Sequence, residues 1–183
     1  MQTAKVRSDT PTIWDIDPAH STVQFRVKNF FFFIVKGRFT EFAGRIVLDH
    51  ADIGRSSVEV TIKAASVDTG IKRRDAHLQS ADFLEADLYP DIRFQSTKIE
   101  AGRDRDTLRL EGSLTIKGKS RAVMLEVDEL DHSRSPDGEE VSYYGTSSEL
   151  DRFDFGMRYR RGLIGRTLKV IINVQASRQQ DFR

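Results

Sequence analysis

Cysteine is absent from the 183 residues, which removes disulfide frameworks, thiolate metal sites and cysteine nucleophiles at once. Proline is scarce, with four residues, and glycine contributes twelve, far from the composition of a low-complexity chain. Neither sign of charge is in excess. The 29 Lys and Arg face 28 Asp and Glu, so the basic surplus of a dedicated nucleic-acid binder is missing and no nucleic-acid partner is expected. Long apolar runs are missing too: the longest covers residues 30–35, whereas a membrane helix needs roughly 20 such residues. The opening MQTAKVRSDTPTIWDID holds no apolar stretch of the ~7–15 residues that a secretory signal requires. As written, the chain is expected in the cytoplasm, or in the periplasm if a leader has been removed.

Motifs of the common nucleotide and hydrolase chemistries are missing as well. No GxGxxG follows a strand, and neither a GxxxxGK[S/T] loop nor a GxSxG elbow occurs. The four histidines, His20, His50, His77 and His132, lie in separate segments without HxxxH or HExxH spacing, so no metal site is expected. Asp15, Asp17 and His20 could form a small acidic cluster, but Asp17-Pro18-Ala19-His20 reads first as a tight corner in which Asp caps its own backbone. Asp82, Glu85 and Asp87 read as a solvated helical face rather than as paired catalytic acids.

What the chain does have is alternation. Val23, Phe25 and Val27 alternate with polar residues, as do Val58, Val60 and Ile62, then Leu108, Leu110, Leu114 and Ile116, then Val123, Leu125 and Val127, and finally Leu168, Val170, Ile172 and Val174. Period two with one dry face is the pattern of antiparallel sheets around a single core. Between Phe39 and Phe42 the apolar parity switches, which predicts a β-bulge near Thr40 and Glu41. One segment departs from this pattern: around residues 71–88, Ile71, Arg74, Asp75 and Leu78 keep helical spacing, Ser80 can cap a second short turn, and Pro90 ends the excursion. The expectation is an all-β antiparallel barrel of about eight strands with one short helical excursion. Residues 13–177 form a single domain, between an N-terminal tail of residues 1–12 and a C-terminal tail of residues 178–183.

Two features exceed what a packed barrel needs. Phenylalanine occurs twelve times, and four of these residues run together at positions 30–33 ahead of Ile34 and Val35. A strand with one wet face cannot use such a run; it is either a strand buried on both sides, or a rim or cavity wall that meets a lipid, a membrane or another subunit. Barrels of about eight strands are either filled by side chains or hold one small ligand. Secondly, Arg152, Arg158, Arg160, Arg161 and Arg166 crowd one stretch, and Lys72-Arg73-Arg74 stands in the helical excursion. Such groups form a solvated face or gather at a pocket mouth, where forked guanidinium donors suit an anionic head group.

The segments WDIDPAHSTVQFRVKN, VKGRFTEFAGRIVLD, RRDAHLQSADFLEADLYPDIRFQS, LEGSLTIKGKSRAV and RFDFGMRY, in this order over roughly residues 13–177, resemble the YceI-like family. The resemblance implies an elongated, lipocalin-like barrel that binds or carries a long amphiphile, of the polyisoprenoid type, without catalysis and often as a homodimer. The bound lipid would be the only cofactor, with transient membrane contact. It implies tail contacts from Phe25, Val27, Phe30, Phe32, Phe39, Phe42, Gly44, Ile46, Phe94, Leu114 and Phe155. The head group or mouth would fall to Asn29, Arg74, Asp75, His77, Arg158 and Arg160. The chain departs from the family pattern at Asn29, where a histidine is usual, and in the four phenylalanines that replace a methionine-rich segment. Asparagine keeps an amide but cannot carry a positive charge. The alternatives are a protein-interaction module that uses the Phe-rich rim without lipid carriage, and an enzyme on the same frame.

Overall fold

Three of the eight crossings in this barrel are broken in the middle, and the breaks fall where turn residues interrupt the alternation. The computed structural model describes residues 10–30 and 32–180. The first crossing is β1 (Thr12–Ile16) and β2 (Thr22–Asn29), the second β3 (Phe33–Phe39) and β4 (Phe42–Leu48), the third β5 (Ser57–Lys63) and β6 (Val67–Asp68). The others are continuous: β7 (Asp91–Ala101), β8 (Thr107–Ile116), β9 (Lys119–Arg134), β10 (Glu140–Asp151) and β11 (Ile164–Arg178). Each crossing pairs antiparallel with the next, and the first closes on the last: β1 pairs with the C-terminal part of β11 (Ile16 opposite Ala176) and β2 with its N-terminal part (Val27 opposite Leu168). The result is the eight-stranded, all-β antiparallel barrel with one helix that the alternation predicts. The strand ladders reach Thr12 and Arg178, one residue beyond each expected bound. Among the described residues no helix is long and apolar enough to cross a membrane.

The breaks have local causes. Asp17 Oδ1 accepts the Ala19 N–H at 2.9 Å and its other oxygen meets His20 Nδ1 at 2.7 Å, so the corner expected at Asp17 is present, with Pro18 at its start. The hydrogen bond from His20 and the Ala19 N–H together hold the Asp17 carboxyl below its ordinary range. In the second crossing β3 ends at Phe39 and β4 begins at Phe42. This three-residue step moves the inward face from odd to even positions; where a bulge is expected, the strand is interrupted at Thr40 and Glu41 instead.

The helical excursion condenses into α1 (Lys72–Gln79) followed by turns. A second short turn does start at Ser80, whose carbonyl accepts the Phe83 and Glu85 N–H at 3.0 and 2.9 Å, but its hydroxyl does not cap that turn and donates back to the His77 carbonyl at 2.7 Å, at the end of α1. At this capped end β2, β6, β8 and β10 finish and β3, β7, β9 and β11 begin, with α1 and the 152–163 loop lying across it. Leu84, Ala86, Phe155 and Met157 pack there with Ala64, Val67, Ile92 and Ile116. The opposite end is sealed by Trp14, Ile16, Val23, Phe42, Ile46, Tyr144 and Ala176. The Trp14 indole N–H donates to Thr12 Oγ1 at 2.9 Å, and Thr12 Oγ1 in turn meets His50 Nε2 at 2.9 Å.

Candidate functional site

Between those two plugs the barrel axis is not filled. A cavity of about 260 Å³ runs along it, just under the usual lower bound of small-molecule pockets. Its wall comes from every crossing: Val23, Phe25 and Val27 of β2, Val58, Val60 and Ile62 of β5, Leu108, Leu110 and Leu114 of β8, Val123, Leu125 and Val127 of β9, and Leu168, Val170, Ile172 and Val174 of β11. The capped end contributes Leu78, Phe83, Leu84 and Met157. Arg152 and Tyr144 are the two titratable groups on this wall among the described residues. A cavity lined in this way excludes water and accepts hydrocarbon.

Two of the wall's rings lie over glycines on neighbouring strands. Phe25 covers Gly37, and a Cβ at Gly112 would come within 2.5 Å of Phe94 Cε2. Glycine at these points lets a large ring lie flat against the sheet, so that it widens the slot instead of crossing it. Tyr144 sits at the far end of the slot. Burial, with a smaller push from Glu129, raises its phenol to about 12, so it stays a neutral hydrogen-bonding group.

The capped end holds the polar groups. Arg152 is 2 % exposed and meets no carboxylate among the described residues. Its Nε–H donates to the Gly165 carbonyl at 2.8 Å, one Nη donates to the Ile164 carbonyl at 3.0 Å, and the other to the Met157 carbonyl. The guanidinium thus pins both limbs of the 156–165 loop to the barrel. Burial lowers its pKa, and the neighbouring Asp151 partly opposes this. Arg152, Arg161 and Arg166 also gather around the ring of Phe153, at 4.8, 5.4 and 5.1 Å from its centre, so the ring's negative face helps three cations share one corner. Asn29 lies one inward step beyond Val27 on β2, opposite Ile164 and Phe33. Its side-chain Oδ1 is buried and has no hydrogen-bond partner among the described residues.

The structure sorts the expected tail residues into two groups. Phe25, Val27, Phe39, Phe42, Ile46, Phe94 and Leu114 stand on the cavity wall. Gly44, Phe30, Phe32 and Phe155 do not. Ile16 Cδ1 lies 2.5 Å from where a Gly44 Cβ would be, so the space at Gly44 is taken by Ile16. Phe30 and Phe32 are 44 % and 89 % exposed, because the β2–β3 hairpin overshoots the rim; Phe31, between them, lies outside the described residues. Phe155 is buried in the cap cluster, one layer away from the wall.

None of the head-group candidates is on the cavity wall; Asn29 comes nearest, because its partner on β11, Ile164, is part of that wall. Arg74 and Asp75 are spent on Thr69: Arg74 donates to its Oγ1 and carbonyl at 2.8 and 2.9 Å, and Asp75 Oδ1 accepts its N–H at 2.8 Å. His77 bonds Asp82 at 2.8 Å and packs edge-on to Tyr159 and Phe83, which ties α1 to the 156–163 loop. Arg158 and Arg160 point to solvent. Arg152, by contrast, belongs on the wall, and its place among five nearby arginines did not distinguish it. Among the described residues no group of histidines and carboxylates is arranged to hold a metal ion.

The profile of the YceI-like domain matches residues 14–176. Protein YceI of Shigella flexneri is 31% identical over 166 residues, which is 91% of this chain and 86% of that one. Among solved structures, BcnA of Burkholderia cenocepacia superposes with a TM-score of 0.78 at 22% identity, over 87% of this chain and 98% of that one. A polyisoprenoid binding domain from Saccharophagus degradans, implicated in plant cell wall breakdown, gives 0.69 at 16% identity, over 91% and 98%. At these identities both structures bear on the fold alone.

Proposed function

This chain belongs to the YceI-like domain family, and from the slot its barrel encloses we propose that it binds and carries one long-chain amphiphile, of the polyisoprenoid type, with the tail along the axis and the head at the capped end. The observation that carries this reading is the dry, continuous apolar wall between two plugs. A side-chain-filled barrel would gain dispersion and burial energy that this one forgoes, and a hydrocarbon chain restores both. The slot's modest volume suits one chain rather than a bulky ring system.

The polar inventory agrees with binding rather than catalysis. Nucleophilic or acid–base chemistry needs a positioned pair of groups with matched pKa values. The wall offers a guanidinium committed to three carbonyls and a phenol whose ionisation is pushed to about 12. Asn29 Oδ1 supplies an acceptor with no donor, which suits an alcohol or amide head. The domain from Saccharophagus that shares this fold is a polyisoprenoid binding domain, and the ligand class enters the proposal from that shared fold.

Mass spectrometry of organic extracts from the purified protein tests the reading. A co-purified long-chain prenyl lipid, lost in Val123→Phe where a ring enters the slot, is the expected result. A lipid-free protein that takes up no long-chain prenol when offered it would overturn the proposal.

A further inference from the structure

We propose that the capped end docks on an anionic lipid bilayer, through the tip of the β2–β3 hairpin and the adjoining residues 156–166. Phe32, Phe33 and Ile34 are 89 %, 69 % and 57 % exposed, and Phe30 and Leu163 are exposed beside them. The two loops form one unit, since the Phe30 N–H donates to the Leu163 carbonyl at 2.8 Å. An apolar tip of this size in water is unfavourable unless something covers it.

Charge identifies the cover. Residues 26–38 and 156–166 contain no Asp or Glu. Arg38 is paired with Asp68 and Arg166 with Asp151. Arg26, Lys28, Lys36, Arg158, Arg160 and Arg161 are exposed, and none is in salt-bridge contact with a carboxylate among the described residues. Three cations stand in a row across neighbouring strands, Lys169 opposite Arg26 and Arg26 opposite Lys36, and like charges directly opposite destabilise a sheet. Glu149 offsets only the outer end of that row, opposite Lys169. An array of basic side chains that repel one another around an apolar tip is relieved by a surface of fixed negative charge with hydrocarbon beneath it. A second copy of this chain fits poorly, because a two-fold contact would set the same cations against themselves.

Flotation with vesicles tests this without reference to the cavity. Wild type is expected to float with phosphatidylglycerol–phosphatidylcholine vesicles, to be released by high salt, and to ignore vesicles of phosphatidylcholine alone. Phe32→Ser with Phe33→Ser should lower partition at least about tenfold, as should Lys28→Glu with Arg161→Glu. All four side chains lie outside the slot, so circular dichroism and retention of a prenol should stay at wild-type level in both variants. Failure to float, equal binding to both vesicle types, or a wild-type dimer in light scattering that Phe32→Ser with Phe33→Ser dissociates would overturn the proposal and leave the reading of the cavity untouched.

Discussion

The ring of Phe25 lies across Gly37, its partner on β3, so closely that a methyl group at position 37 would overlap Cζ and Cε1. Gly37→Ala therefore drives the ring off the sheet and into the slot. The expected cost is ~1–3 kcal/mol of stability, as for overpacking elsewhere, together with weaker prenol binding. Denaturant unfolding and a prenol titration on the same sample check both parts. A variant that is destabilised but binds normally would place the displaced ring outside the slot.

Asn29 yields a prediction about selectivity. If its unpartnered Oδ1 accepts from the ligand's head, Asn29→Ala lowers affinity for a prenyl alcohol by about 3–10-fold, the worth of one net hydrogen bond. Affinity for the matching prenyl hydrocarbon stays the same. Equal losses for the two ligands would assign Asn29 to packing alone.

Arg152 acts as a latch. Arg152→Ala leaves three carbonyls, one buried and two half-buried, without their guanidinium donors, for an expected loss of ~3 kcal/mol. Residues 156–165 should then become sensitive to trypsin at Arg158, Arg160 and Arg161. Arg152→Lys should behave much like Arg152→Ala, because a single ammonium cannot reproduce the spread of the guanidinium fork.

Tyr144 makes stability fall in alkali. Its native phenol ionises only at about 12, against 10.0 for an ordinary tyrosine. Above 10 the unfolded chain loses this proton while the native state keeps it, so unfolding stability declines as pH rises through that interval. Tyr144→Phe should flatten the decline, and denaturant midpoints measured across the alkaline range would show it.

The wall of this barrel is legible in the sequence because alternation is set by the pleat: Phe25, Val27, Phe94 and Leu114 face inward wherever the strand is covered. The parity switch at Phe39 and Phe42 likewise announces a change of register, which the fold makes by breaking the strand rather than by a bulge. The overhang is not legible. Phe30 and Phe32 share the composition of wall residues, and only the neighbouring strand ends decide that β2 and β3 run past the rim. Gly44 misleads for a related reason, since an absent side chain says nothing about which neighbour, here Ile16, fills the gap. Arg152 sits among arginines of the same chemistry, and what distinguishes it is the set of three carbonyls that the fold brings around it.

The seam between the first and last crossings bears on how the molecule is made. Ile164, Leu168, Val170, Ile172 and Val174 of β11 form one wall of the slot, and this strand leaves the ribosome after all the others. Its ladders run to β10 on one side and to the pair β1 and β2 on the other, so without it the remaining seven crossings would have two unpaired edges and a lining open to solvent. Closure joins residues more than a hundred positions apart, which makes it the slow, entropically costly step. On the reading proposed above, such an open trough would also let a lipid be laid in from the side, without threading past Arg152 or Trp14.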